Sequence, residues 1–165
     1  MIFEGRFADK VMIVTGAAQG IGAGVATRAA AEGARVVLVD RAEFVADVEA
    51  EITQAGGTAI SVVCDLETYE GARSAAEAAV AAFGRIDILV NNAGVGQQVT
   101  PTVELSDEEW QRVLGVTLTG TFYCCRAACR LMERQESSCI VNISSINGLN
   151  PAALVAAYNV AKAGV

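Results

Sequence analysis

The stretch Val11-Met12-Ile13-Val14-Thr15-Gly16-Ala17-Ala18-Gln19-Gly20-Ile21-Gly22 decides how the rest of the chain is read. Val11 to Val14 is a short run of apolar residues, and it passes directly into a glycine-rich turn. Residues 22–31 are rich in alanine and free of proline, which predicts a helix, and Gly33 ends it. In a strand, turn and helix of this kind, Gly16 permits the sharp exit from the strand and Gly20 lets the backbone approach a pyrophosphate. Gly22 allows the helix to pack closely on the strand. The helix N-terminus adds amide donors and a partial positive charge for phosphates. Taken alone, the glycines also fit a tight structural turn. A P-loop is disfavoured because the Gly-Lys-Ser/Thr ending is missing.

Outward from this unit, apolar runs alternate with helical patterns to the end of the chain. Residues 35–40 read as a second strand, 45–55 as a helix stopped by Gly56-Gly57, and 59–64 as a third strand. An alanine-rich helix over 69–83 leads to a fourth strand, 86–90, which enters Asn91-Asn92-Ala93-Gly94. A long helix follows, opened by Ser106 with Glu109 three residues on, a capping-box pattern, and runs to about residue 134. Residues 139–143 form a fifth strand, and a last helix begins near Ala157. Unbroken apolar strands separated by helices indicate an α/β fold, a doubly wound parallel sheet of the Rossmann kind. Ligands of such sheets bind at the carboxyl ends of the strands.

At 165 residues the chain has the size of one domain, large enough to bury a core without disulfides or metal. Its 53% hydrophobic content suits a sheet covered on both faces or an extensive subunit contact. The net charge of -7, from 12 basic and 19 acidic residues, argues against a nucleic-acid surface or an anionic membrane as partner. Glu4, Arg6, Asp9 and Lys10 interrupt the apolar residues of the N-terminus, unlike a signal or transit peptide. No run approaches the ~18 apolar residues of a membrane span, and a cytoplasmic enzyme is the expectation. The five cysteines are odd in number and include no Cys-x-x-Cys pair. Cys125 and Cys129 share a helical face with no histidine in the chain to complete a metal site. They read as small buried thiols packing a helix, and no metal is expected.

The chemistry resides towards the other end, in Tyr158-Asn159-Val160-Ala161-Lys162, with Ser145 upstream. Residues four apart lie one above the other on a helix, so Tyr158 and Lys162 can point into one cleft. A phenol, with a pKa near ~10, is a poor acid or base at neutral pH, but a neighbouring ammonium favours the phenolate. Ser145 can hold a carbonyl or alcohol oxygen in place. Together with a nucleotide on the glycine turn, the set implies hydride transfer. Asp40 closes the second strand, where a carboxylate accepts hydrogen bonds from an adenosine ribose and repels a 2'-phosphate. Ala18 and Gln19 offer no compensating charge, although Arg41 could reach round. NAD is therefore expected over NADP, with an ordinary strand-end carboxylate as the other reading of Asp40.

Taken together these residues resemble the short-chain dehydrogenase/reductase family in its classical form. Thr15 to Gly22 matches its Thr-Gly-x-x-x-Gly-x-Gly turn, Asn91 to Gly94 its Asn-Asn-Ala-Gly segment, and Ser145 with Tyr158-x-x-x-Lys162 its catalytic set. The resemblance implies cofactor contacts from Gly16, Gln19, Gly20, Ile21 and Gly22, from Asp40, and from Asp65 at the adenine. It adds Asn92, Ala93 and Gly94 along the cofactor, then Tyr158, and Lys162 at the nicotinamide ribose. It selects Ser145 over Ser144 as the catalytic serine, and it implies a homo-oligomer joined through the long helices of the fourth and fifth crossovers. The substrate is expected to be a small-molecule secondary alcohol or ketone. The N-terminal stretch resembles members that oxidise cis-dihydrodiols of aromatic acids, and acyl and sugar ketoreductases stay open.

The sequence departs from the family twice. Seven residues after Trp110, where members carry an asparagine thought to seat a water of a proton relay, stands Thr117. Its single hydroxyl has a shorter reach, which puts the relay in doubt. The chain also stops inside the tyrosine helix, whereas members continue through a further strand, a substrate-covering loop and a closing strand. The expectation is therefore a domain incomplete at its C-terminus, either a fragment or a chain with a further part. A non-catalytic nucleotide-binding or self-associating module is the competing reading.

Overall fold

Alternate residues of the first strand point to opposite faces of a sheet, and here neither face meets water: Val11, Met12, Ile13 and Val14 are each no more than 4% exposed. The structure is a computed structural model and describes residues 2–165. Its strands are β1 (Val11–Thr15), β2 (Arg35–Asp40), β3 (Thr58–Val63), β4 (Ile88–Asn91) and β5 (Cys139–Asn142). They form one parallel sheet in the order β3-β2-β1-β4-β5.

Helices α1 (Gly20–Ala31) and α2 (Val45–Gln54) cover one face, packing Ala26, Ala29, Val48 and Ile52 on Met12, Val14, Val36 and Leu38. On the other face, α3 (Tyr69–Phe83) and α5 (Gly120–Met132) set Ala75, Ala79, Ala127 and Ala128 against Val11, Ile13, Val37 and Leu89. The small side chains of α3 and α5 let both helices approach the sheet closely. After β3 the chain crosses back to lie beside β1, so the connections leaving β1 and β4 depart to opposite faces. A crevice opens at the carboxyl ends of these two strands, the switch point of a doubly wound sheet.

Three expectations change in detail. The fourth strand starts at Ile88 rather than at residue 86, because the Asp87 carboxylate turns to accept the Val11 amide at 2.9 Å and the Arg85 guanidinium. The long helix is not uniform. It divides into α4 (Asp107–Leu114), a π-helical turn (Gly115–Thr119) and α5, which ends at Met132. Gly115 opens the π turn and Gly120 follows it where it passes Leu66 and Glu67; a β-carbon would lie 2.8 Å from Glu67 Oε2 at the first and 3.1 Å from Leu66 O at the second. The cysteines are not all buried either: Cys124 is, whereas Cys129 is exposed. The last helix, α6, spans Ala156–Gly164.

Candidate active site

A groove of about 470 Å³ follows the carboxyl ends of β1, β2 and β4. Gly16, Gln19, Ile21, Asp40, Asp65, Asn92, Ala93 and Gly94 all line it, so the structure brings together most of the residues the sequence singled out. Gly16 and Gly20 have φ of 65° and 60°, the left-handed region that a side chain disfavours. At Gly20 a β-carbon would meet nothing within 4 Å, so its bare face is open. At Gly22 it would lie 2.1 Å from Gly16 O, so close packing is what that glycine provides. Gln19, the N-cap of α1, gives the helix no side-chain bond, and the first turn has no acid. The leading amides and their partial positive charge are thus left for a ligand.

Asp40 accepts the Ala18 amide at 3.0 Å on one oxygen and the Ala42 amide at 3.1 Å on the other. It thereby pins the turn while keeping lone pairs for a ligand. The Asn91 to Gly94 segment is tied to β1 through Thr15. Its buried hydroxyl accepts the Asn92 and Ala93 amides at 3.0 and 2.9 Å, and Asn92 Nδ2 donates to Thr15 O and Gly16 O.

A second cavity of about 430 Å³ adjoins the groove, sharing Ile21, Asn92, Gly94 and Val95 with it. Tyr158 and Lys162 line it from α6, the Lys162 ammonium 6.0 Å from the centre of the Tyr158 ring. Lys162 is only 6% exposed and donates to Ile143 O at 2.7 Å. Ser144 stands on the cavity wall and donates to Lys162 O at 2.6 Å, while Ser145 Oγ accepts the Asn147 amide at 3.2 Å. Thr117, fully buried in the π turn, accepts the Val95 amide on Oγ1 at 3.2 Å. A β-carbon on Gly94 would lie 3.5 Å from both Thr117 Oγ1 and Lys162 Nζ, so the bare glycine separates those two polar groups.

The model of the short chain dehydrogenase family matches residues 10–165. The chain belongs to the short-chain dehydrogenase family. Among curated relatives it is 47% identical, over 86% of its length, to the 1,6-dihydroxycyclohexa-2,4-diene-1-carboxylate dehydrogenase of Acinetobacter baylyi, spanning 54% of that protein. It thus covers little more than half the length of this relative. A short chain dehydrogenase from Mycobacterium smegmatis superposes on all of it with a TM-score of 0.95 at 40% identity, over 70% of that chain. A metagenomic short-chain oxidoreductase in complex with NADP does so over 96% of it and 72% of its own length, with a TM-score of 0.91 at 42% identity.

In this member of the family the groove suits a nicotinamide dinucleotide: free amides at α1, a bare Gly20, and an oriented carboxylate at the end of β2. Among the described residues, no three His, Cys, Asp or Glu gather to hold a metal ion, and no helix is long and apolar enough to cross a membrane. Burial pushes the Lys162 amine below its ordinary pKa. The unfolded chain binds more protons between the lowered and the ordinary value, so stability rises with pH through that window. Lys162→Met removes this titrating group, so the rise of the melting temperature with pH through that window is expected to flatten. A pH dependence in calorimetry as steep as the parent's contradicts this.

Thr15 and Gln97 make contacts that the sequence alone does not show. Thr15 was visible only as the first residue of the glycine motif. Gln97 carried no signal at all, because its partners stand some sixty residues away.

Proposed function

We propose that the protein is an NAD-dependent oxidoreductase that interconverts a secondary alcohol and a ketone, with Tyr158 as acid and base. The observation that carries this reading is the meeting of Tyr158 and Lys162 with the glycine-turn groove at one crevice. Gly16 to Gly22 would hold the pyrophosphate, Asp40 the adenosine ribose and Asp65 the adenine. Asn92, Ala93 and Gly94 would lie along the cofactor, and Lys162 would reach the nicotinamide ribose. When bound, the cofactor supplies the hydride acceptor or donor.

In oxidation the Tyr158 phenolate takes the proton of the substrate hydroxyl, and the C–H electron pair leaves as hydride while the ketone forms. Lys162 favours the phenolate by its charge. Ser145 holds the substrate oxygen through its hydroxyl, which the Asn147 amide orients. Thr117 and Lys162 flank the bare face of Gly94. The dihydroxycyclohexadiene-carboxylate relative favours a cis-dihydrodiol or a related cyclic alcohol as substrate. The same reading takes the enzyme as a homo-oligomer joined through the crossover helices on either side of β5, α4–α5 and α6, where Phe122 and Val160 are exposed.

Cofactor choice tests the groove. Because the Asp40 carboxylate repels a 2'-phosphate, NAD is expected to bind at least about tenfold tighter than NADP, and Asp40→Ala should narrow the gap. Calorimetric titration giving equal affinities in the parent protein would sink the assignment.

A further inference from the structure

Helix α6 begins badly for a helix that must hold a reacting side chain. Its N-cap is Val155, which has no side-chain oxygen, and Tyr158 stands in the first turn, where unpaired amides fray. The residue before the cap, Leu154, is held at φ 65°, a left-handed conformation that a branched side chain disfavours. Both defects are met from the loop after β4. Gln97 Oε1 accepts the Ala157 amide at 2.7 Å and the Tyr158 amide at 3.3 Å. Gln97 Nε2 donates to Leu154 O at 3.3 Å, and the Thr100 amide donates to the same carbonyl at 2.9 Å. The amide orientation is fixed chemically, since its oxygen faces two donors and its nitrogen an acceptor.

The loop is itself clamped by α4. Glu109 and Arg112 form a two-point ion pair, at 2.7 and 2.9 Å. Glu109 also accepts the Gln98 amide at 3.0 Å, and Arg112 donates to Gly96 O at 2.8 Å, so the backbone on both sides of Gln97 is fastened. The Arg112 guanidinium, then the Gln98 amide, hold the Glu109 carboxyl at about 2, so the clamp stays charged at any working pH.

We infer that Gln97 is a positioning residue: its carboxamide caps the tyrosine helix in place of the missing N-cap and fixes Tyr158 against the substrate cavity. The inference rests on the acid/base reading of Tyr158. Lys162, one turn further along, has its own anchors in Ile143 O and Ser144 Oγ. Loss of the cap therefore falls on proton transfer and spares the dinucleotide.

The test is a steady-state series on the full-length enzyme with parent, Gln97→Ala, Gln97→Glu and Tyr158→Phe. Gln97→Ala is expected to lower kcat about tenfold or more, with the Kd for NAD within about twofold of the parent. Gln97→Glu keeps both acceptor contacts but turns an oxygen, not a donor, towards Leu154 O, so its kcat should lie between those of Gln97→Ala and the parent. Its added negative charge beside Tyr158 disfavours the phenolate and should move the acidic limb of the kcat profile to higher pH. A merely structural residue would lower kcat and NAD affinity together in Gln97→Ala, with no split between them. Parent-like kcat in Gln97→Ala beside an inactive Tyr158→Phe overturns this inference alone, as does a fall in NAD affinity equal to the fall in kcat. An active Tyr158→Phe overturns the reading beneath it.

Discussion

Tyr158→Phe is expected to slow the chemical step by about a hundredfold or more in the full-length enzyme, because it keeps the ring and its packing while deleting the proton that is exchanged. Tyr158 is half-buried on the cavity wall, and its backbone is held by Gln97, so removal of one oxygen leaves the ring in place. NAD affinity should stay within about twofold, since the groove and Lys162 are untouched. Rapid-mixing kinetics distinguishes this from a slowed product release, which would leave the first turnover fast. Full activity with NAD bound would mean that the domain holds a nucleotide for another purpose, such as a non-catalytic binding module.

Gly22→Ala is expected to damage fold and binding together. The new β-carbon would lie 2.1 Å from Gly16 O and 2.6 Å from Asn92 Nδ2, and the first of these is backbone at the tip of the turn. Helix α1 must then back away from β1. Overpacking of this kind costs about 3 kcal/mol, a fall of roughly 6–12 °C in melting temperature for a domain of this size. The displaced helix N-terminus should weaken NAD binding by about a hundredfold, the equivalent of losing ~2.7 kcal/mol. Gly20→Ala serves as the contrast: its β-carbon meets nothing in the protein and only the left-handed φ of 60° is strained, at about 1 kcal/mol, so it should lose binding with a smaller thermal shift than Gly22→Ala. Equal melting temperatures for the parent and Gly22→Ala contradict the packing account.

Much of this was legible because buried parallel strands read as unbroken apolar runs. Strand β2 and helix α3 follow the expected limits, 35–40 and 69–83. Asp87 hid the true start of β4, since its partner Val11 lies far off in sequence. The Ser106 signal gave half of what it implied. Ser106 Oγ does accept the Glu109 amide at 3.2 Å, but the Glu109 carboxylate turns away to Arg112 and Gln98. The π turn was invisible because it depends on how closely Gly115 and Gly120 pass the chain at Leu66 and Glu67, a tertiary contact with no local period. The residues proposed for the site stand out in the sequence where the proposed chemistry restricts residue type, as with the glycine turn and Tyr158-x-x-x-Lys162. Gln97 works through carboxamide contacts that any suitably placed acceptor and donor could make, so its type alone says nothing.

The most direct test of hydride transfer follows the hydrogen itself. The full-length enzyme is incubated with NAD and a cis-dihydrodiol or cyclic secondary alcohol deuterated at its carbinol carbon, and the nicotinamide product is analysed by mass spectrometry. Deuterium is predicted to appear in the reduced nicotinamide with the parent enzyme and to be lost in proportion to activity with Tyr158→Phe. Reduced nicotinamide formed without deuterium, or formed equally well by Tyr158→Phe, would contradict tyrosine-dependent hydride transfer at this site.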